Sequence, residues 1–182
     1  MRTLTSGERR HVALMCGIAL AFGSGAVALA AVSASGPLHR KAGLWEQHLK
    51  IDDGSYPIPV ATMCIDAKAE ERLTLVGAQM DRRQCSSYQM TGRGDGSWSF
   101  LSVCEIDPGA TVTTKGSATG DFRTTYSVEA TGSTTGAAQS SMNGVHHIAI
   151  DARWAGPCPK GQTGGDVTTG GKTSNVFSPA VR

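Results

Sequence analysis

Ser86-Ser87-Tyr88-Gln89-Met90-Thr91, then Gly92-Arg93-Gly94-Asp95-Gly96, then Ser97-Trp98-Ser99-Phe100-Leu101-Ser102-Val103-Cys104 is the stretch that decides the fold. Two runs with strand-like alternation flank a glycine-rich link. Gly94-Asp95-Gly96 suits a three-residue hairpin loop with Gly96 left-handed in a bulge, because only glycine enters that region without a steric cost. That loop sets the register, pairing Met90 with Phe100 and Tyr88 with Ser102. Tyr88, Met90, Trp98 and Phe100 then share one face, so turn chemistry and apolar pattern agree.

Working outward, the same period of two recurs. In Leu44 to Ile51, Trp45, Gln47, Leu49 and Ile51 fall on one face, and Glu46, His48 and Lys50 on the other. This is the pattern of a half-buried strand. Asp52-Asp53-Gly54-Ser55 is a turn cluster, and Pro57 and Pro59 keep the next segment, which ends at Cys64, at a sheet edge if it is a strand. Asp66 to Val76 is the one predicted helix, with Asp66 as N-cap, Glu70 and Glu71 near its positive end and Gly77 as its stop. Further strands are predicted over Ala110–Ala118, Phe122–Ala130 and Val145–Trp154, with a tight turn at Thr119-Gly120-Asp121 and a loop from Thr131 to Gly144. The fold class is therefore mainly β: an antiparallel meander, curved or partly closed into a barrel, with one short helix packed against it.

The N-terminus has a different composition. Arg2, Arg9 and Arg10 precede an uncharged run, Val12 to Val32, and small residues follow at Ala28-Leu29-Ala30 and Val32-Ser33-Ala34. Basic start, apolar middle and small-residue exit form a secretory signal, assigned here to residues 1–34 and expected to be cleaved. The alternative is an uncleaved anchor, which would be the protein's one contact with a membrane. Arg9-Arg10 hints at twin-arginine export, and Cys16 lies too early in the apolar run for lipidation. Of 17 basic and 15 acidic residues, the leader holds three and one, which leaves 14 and 14. A neutral domain has no field to steer nucleic acid, and that class of partner is set aside. The organisation expected is a signal at 1–34, a lead-in at 35–42, one β domain at 43–158 and a disordered Gly/Thr-rich tail at 159–182.

Four cysteines follow the leader: Cys64, Cys85, Cys104 and Cys158. An even count in an exported chain reads as two disulfides. A four-thiolate zinc site needs close cysteine pairs, and there are none. In the hairpin register Cys85 and Cys104 point to opposite faces, so a bridge between them needs a bulge or a frayed strand. The preferred pairing is therefore Cys64–Cys85 with Cys104–Cys158, although sequence leaves all three connectivities open.

Gly43-Leu44-Trp45-Glu46 just after an export signal, Cys64 before a short acidic helix, the pair Cys85 and Cys104, and the closing Gly156-Pro157-Cys158 together resemble the bacterial domain-of-unknown-function 3617 family. The likeness runs from about Gly43 to Cys158. It implies an exported protein of Gram-negative type and disulfide bonding, and it transfers no catalytic residue, since the family has no established activity. The tail after Cys158 and the prolines at 57 and 59 are not part of that pattern.

No site chemistry stands out. His146 and His147 are adjacent on a strand and point to opposite faces, while His39 and His48 lie elsewhere, so no metal is expected. No serine sits in a G-x-S-x-G turn, and no catalytic residue or cofactor is assigned. Asp52-Asp53 reads as a turn, Glu70-Glu71 as a helix start, and Arg93-Gly94-Asp95 as the hairpin loop. Trp45, Trp98 and Trp154 are expected to fill one core, or else to line an apolar groove. The reading is a non-catalytic envelope protein that binds a small apolar ligand or an envelope protein. The alternatives are a periplasmic enzyme with dispersed catalytic residues and a structural envelope protein.

Overall fold

The computed structural model describes residues 38–52, 54, 57–76 and 80–178. The signal assigned to residues 1–34 and Gly77 lie outside the described residues. The strands are β1 (Gly43–Ile51), β2 (Ala61–Ile65), β3 (Cys85–Gly92), β4 (Trp98–Asp107), β5 (Ala110–Gly120), β6 (Thr125–Thr135), β7 (Gly144–Gly156), β8 (Asp166–Thr169) and β9 (Lys172–Asn175), with one helix, α1 (Ala67–Arg72). They form a single antiparallel sheet in the order β3-β4-β5-β6-β7-β1-β2-β8-β9, open at β3 and β9.

The hairpin has the register its turn demands. Met90 faces Phe100 and Tyr88 faces Ser102, and Gly96 sits at φ +83°. Asp95 accepts hydrogen bonds from the Ser97 amide and hydroxyl at 2.9 and 2.6 Å, so the Arg93-Gly94-Asp95 tripeptide belongs to the turn. The helix is shorter than its composition suggests. Asp66 caps it by accepting from the Ala69 amide at 2.8 Å, but Leu73 turns extended and bridges to Asp81.

The connection from β2 to β3 roofs one face of the sheet, called here the inner face. Leu73 and Leu75 are fully buried on it with Ala69. The Leu75 carbonyl accepts from Gln47 Nε2 on β1 at 3.1 Å, while the backbone of Leu75 stands close enough to the Tyr88 hydroxyl on β3 to act on its pKa. Four strands separate β1 from β3, about 24 Å in a flat sheet. One residue stands close to both, so the sheet must curl around its roof. Under that roof Trp45 packs on Tyr126 with ring centroids 5.2 Å apart, and Phe122 stacks on the other side of Tyr126 at 5.5 Å.

Three expectations need correction. The bridges are Cys64–Cys158 and Cys85–Cys104, not Cys64–Cys85 and Cys104–Cys158. A register shift between Cys85 and Ser87 brings Cys85 directly opposite Cys104, and such a bulge returns the cysteine to its partner's face. At the other end, Leu44 pairs with both Cys64 and Gly156, so the chain two residues beyond Gly156 crosses to β2 and meets Cys64.

The second correction concerns the tail expected to be disordered over 159–182, of which residues 159–178 are described and carry two strands of the sheet. β8 extends the sheet beside β2, pairing Val167 with Met63, and β9 folds back on it around Gly170 and Gly171. Both glycines have positive φ, +57° and +77°, as a two-residue hairpin turn of this hand requires. Val167 is fully buried and Val176 packs on the core. The third concerns the lead-in, whose end is also part of the domain. Leu38 and Arg40 are buried, and the Arg40 guanidinium and amide both bond the Glu70 carboxylate, at 2.8 and 3.0 Å. Burial works against the charge of Arg40, but Tyr126 and Glu70 outweigh it and raise its pKa.

Candidate functional site

Along β1 the inner face changes character. Trp45 and Gln47 are buried, whereas Leu49 and Ile51 are half-buried. β7 repeats the gradient, from buried Ala152 and Ile150 to half-buried Ile148 and His146. On β3, across the sheet, Tyr88 and Met90 are half-buried too. Beyond the roof only the flanks on β1, β7 and β3 open, leaving a shallow groove whose middle, at Phe100, Ser102, Thr114 and Ala130, is still buried. Its floor is the apolar row Met90, Phe100, Gly116, Ala130, Ile148 and Ile51, joined strand to strand by register.

The next row breaks the apolar pattern. Tyr88, Ser102, Thr114, Gly132 and His146 lie side by side on five consecutive strands. Ser102 and Thr114 are buried, and burial raises the pKa of the Tyr88 hydroxyl. Gly132, between Thr114 and His146, is buried beneath the ends of Ile148 and Val112. An added Cβ there would meet only the end of Ile148, at 3.1 Å, and of Val112, at 3.7 Å.

Asp52 closes this row from the turn after β1. It sits in the left-handed region at φ +53°, which Asp tolerates better than most side chains. One carboxylate oxygen meets His146 Nδ1 at 2.8 Å and the other accepts from the His147 amide at 2.9 Å. These bonds, that of His146 foremost, hold the Asp52 pKa below its usual value. Asp52 thus holds the ring through Nδ1 and turns Nε2 away from the pair. Nε2 is buried and meets no hydrogen-bond partner among the described residues, although the ring is 27% exposed.

The residues singled out from sequence scatter around this site. His146 and His147 do take opposite faces, and among the described residues no three His, Cys, Asp or Glu side chains gather where they could hold a metal. Trp45 and Trp98 fill the core, while Trp154 lies at its edge with Lys41 Nζ 3.3 Å above its ring. Glu70 is the buried partner of Arg40 and not merely a helix-start acid. On the outer face, Ser127, Asp151, His48 and Arg153 line a shallow depression of about 230 Å³. There the Ser127 hydroxyl donates to Asp151 at 2.8 Å. In a Ser-His-Asp triad the hydroxyl bonds the imidazole and not the carboxylate, so this arrangement is not one.

Sequence reasoning missed the pairing of Asp52 with His146, and the only signal for it was a polar residue interrupting the inner-face pattern of β7. Among the described residues no helix is long and apolar enough to cross a membrane. The two disulfides are compatible with an oxidising compartment outside the cytoplasm. No curated protein and no solved structure matches the chain. The opening Gly43-Leu44-Trp45-Glu46, the four bridged cysteines and the closing Gly156-Pro157-Cys158 all fall within residues 40–158, which match the family model described as "Protein of unknown function (DUF3617)", and the chain belongs to that family.

Proposed function

We propose that this is an exported, non-catalytic binding domain that holds a small, largely apolar molecule in the unroofed half of the inner face. One observation carries the reading: along a single strand, inner-face side chains pass from fully buried Trp45 to half-buried Leu49 and Ile51. Apolar side chains left part-exposed on a concave face are what a small-molecule site offers. The secretory pattern of residues 1–34 supplies the export half of the proposal.

The test is thermal unfolding of the mature chain, residues 35–182, against a panel of lipids and medium-chain apolar compounds. A ligand that binds the native state raises Tm with concentration. Saturable stabilisation by an apolar compound is expected, and it should weaken when Leu49→Asp places a charge on the groove wall. Absence of stabilisation across the panel overturns the reading.

A second reading, docking of an envelope protein, is favoured by β3. This edge strand is eight residues long and carries neither charge nor proline, the features that normally guard an edge. The opposite edge, β9, has four residues and begins with Lys172. A bound segment would add as a further antiparallel strand. Gln89→Lys should then abolish capture of the partner from envelope extract without changing Tm, and capture that survives this change removes the reading.

A further inference from the structure

We infer that the groove takes a single-chain amphiphile with an anionic head, such as a carboxylate, the head bound by Arg82 at the β3 wall and the chain lying between Met90 and the wall of Leu49 and Ile148. This names the ligand class of the proposed function and rests on it.

The inference starts from an unequal matching of charges. Under the roof Arg40 is paired with Glu70 at 2.8 Å, and at the rim Arg72 and Arg83 both bond Asp81. Arg82, in the short 3-10 turn Arg82–Gln84 that leads into β3, takes part in none of the ion pairs among the described residues. Its guanidinium carbon lies 4.6 Å from the centre of the Tyr88 ring, and Tyr88 is a half-buried part of the β3 wall. An aromatic face attracts the cation but offers no lone pair to its N–H groups. Arg82 Nε is buried and meets no acceptor among the described residues, while the residue as a whole is half-buried. A buried donor left unmet on a charged group is costly, and a carboxylate answers it with two acceptor oxygens in the plane of the guanidinium.

The opposite wall carries the other sign. Asp52 meets His146 Nδ1 at 2.8 Å and the His147 amide at 2.9 Å. With a neutral imidazole this pair is a net anion, and with an imidazolium it has no net charge. In both states the positive pole of the groove is Arg82, so an anionic head is drawn to β3 and held off from Asp52. Between the poles stand Met90 on β3 and, across from it, Leu49, Ile51 and Ile148, all half-buried. The middle of the floor is closed at Phe100 and Ala130, so the ligand lies along the walls and its body is a slender chain instead of a bulky ring system. An ammonium head would meet Arg82 as a like charge, and a hydroxyl would answer its donor without cancelling its charge.

The experiment is calorimetric titration of the mature chain at neutral pH with decanoate, 1-decanol and decylamine, which share one ten-carbon chain. Decanoate should bind about tenfold more tightly than decanol, the ratio expected of one hydrogen bond to a charged group. Arg82→Gln should bring that ratio to about one while decanol still binds, which also shows that the variant is folded. Arg93→Gln, which removes the same charge from the exposed hairpin loop, should leave the ratio unchanged. A ratio near one in the unaltered protein, a ratio that survives Arg82→Gln, an equal loss in Arg93→Gln, or a preference for decylamine each overturns the inference and leaves the groove standing. If none of the three binds, the groove itself is refuted and the inference falls with it.

Discussion

Two halves of one sheet face are built from the same alternating strands and meet different fates. Under the β2–β3 connection, Trp45, Tyr126, Leu73 and Leu75 are sealed, and even the charged pair Arg40–Glu70 is buried, joined through Arg40 Nε at 2.8 Å. Beyond that connection, Leu49, Ile51, Ile148 and Met90 keep part of their surface in solvent, and His146 Nε2 meets no partner among the described residues. The strands do not cause the difference. It comes from where a short helix stops and an extended segment turns back at Leu73. A sheet face is a core only as far as something covers it, and the uncovered remainder is where a ligand can be paid for its desolvation.

Each half has its own staple, which gives the strongest way to break the comparison. The Cys64–Cys158 bridge closes a separation of 94 residues and ties the roofed half, whereas Cys85–Cys104 closes 19 within the hairpin. Loop-closure entropy predicts that replacing both members of the first pair by serine costs about 4–5 kcal/mol and the second about 3 kcal/mol. Urea unfolding of the two double variants checks the order. Equal losses would mean that native-state geometry, rather than loop length, governs both.

Glu70→Ala should cost about 3–4 kcal/mol, because it leaves the fully buried Arg40 without its counter-charge. The change lies in the roof contact alone, and a loss below about 1 kcal/mol on denaturation would show that the lead-in is not part of the folded unit.

The roof also has a pH signature. Burial raises the pKa of Asp81, but hydrogen bonds from Arg72 and Arg83 outweigh it and bring the value to about 2. The folded value lies below the unfolded one, so this contribution is fully present above about pH 4 and is lost as pH falls towards 2, at most about 2 kcal/mol. Stability measured between pH 5 and 2.5 should fall less steeply in Asp81→Asn than in the unaltered protein. Parallel curves would remove Asp81 from the account.

The smallest effect belongs to the open half. Leu49→Ala should cost about 1 kcal/mol or less, against about 2–5 kcal/mol for Leu75→Ala beneath the roof. A loss at Leu49 equal to that at Leu75 would show that the groove is as closed as the core.

The legible parts of the fold share a cause. Met90–Phe100 pairing and the left-handed Gly96 follow from a three-residue loop, a local constraint that glycine and aspartate write directly into the chain. The Cys85–Cys104 bridge was illegible because a single bulge inverts the facing of one residue, and no residue type in Cys85-Ser86-Ser87 announces it. Composition misled at β8 and β9. Gly170-Gly171 between threonines carries a hairpin signature, but the strands exist because β2 offers an edge and the core accepts Val167. Asp52 and His146 were each visible as a turn acid and a strand histidine. Their 94-residue separation hid that they meet.

By itself, the sequence determined the mainly β class, the central hairpin and the oxidised state of four cysteines, all of which depend on local chemistry or on counting. The tertiary structure alone decided which cysteines pair, how far the roof extends, that the segment after Cys158 joins the sheet, and that a turn acid orients one imidazole. Those outcomes depend on contacts between residues far apart in the chain, where free energies of a kcal/mol or two choose among arrangements that local preference leaves equal.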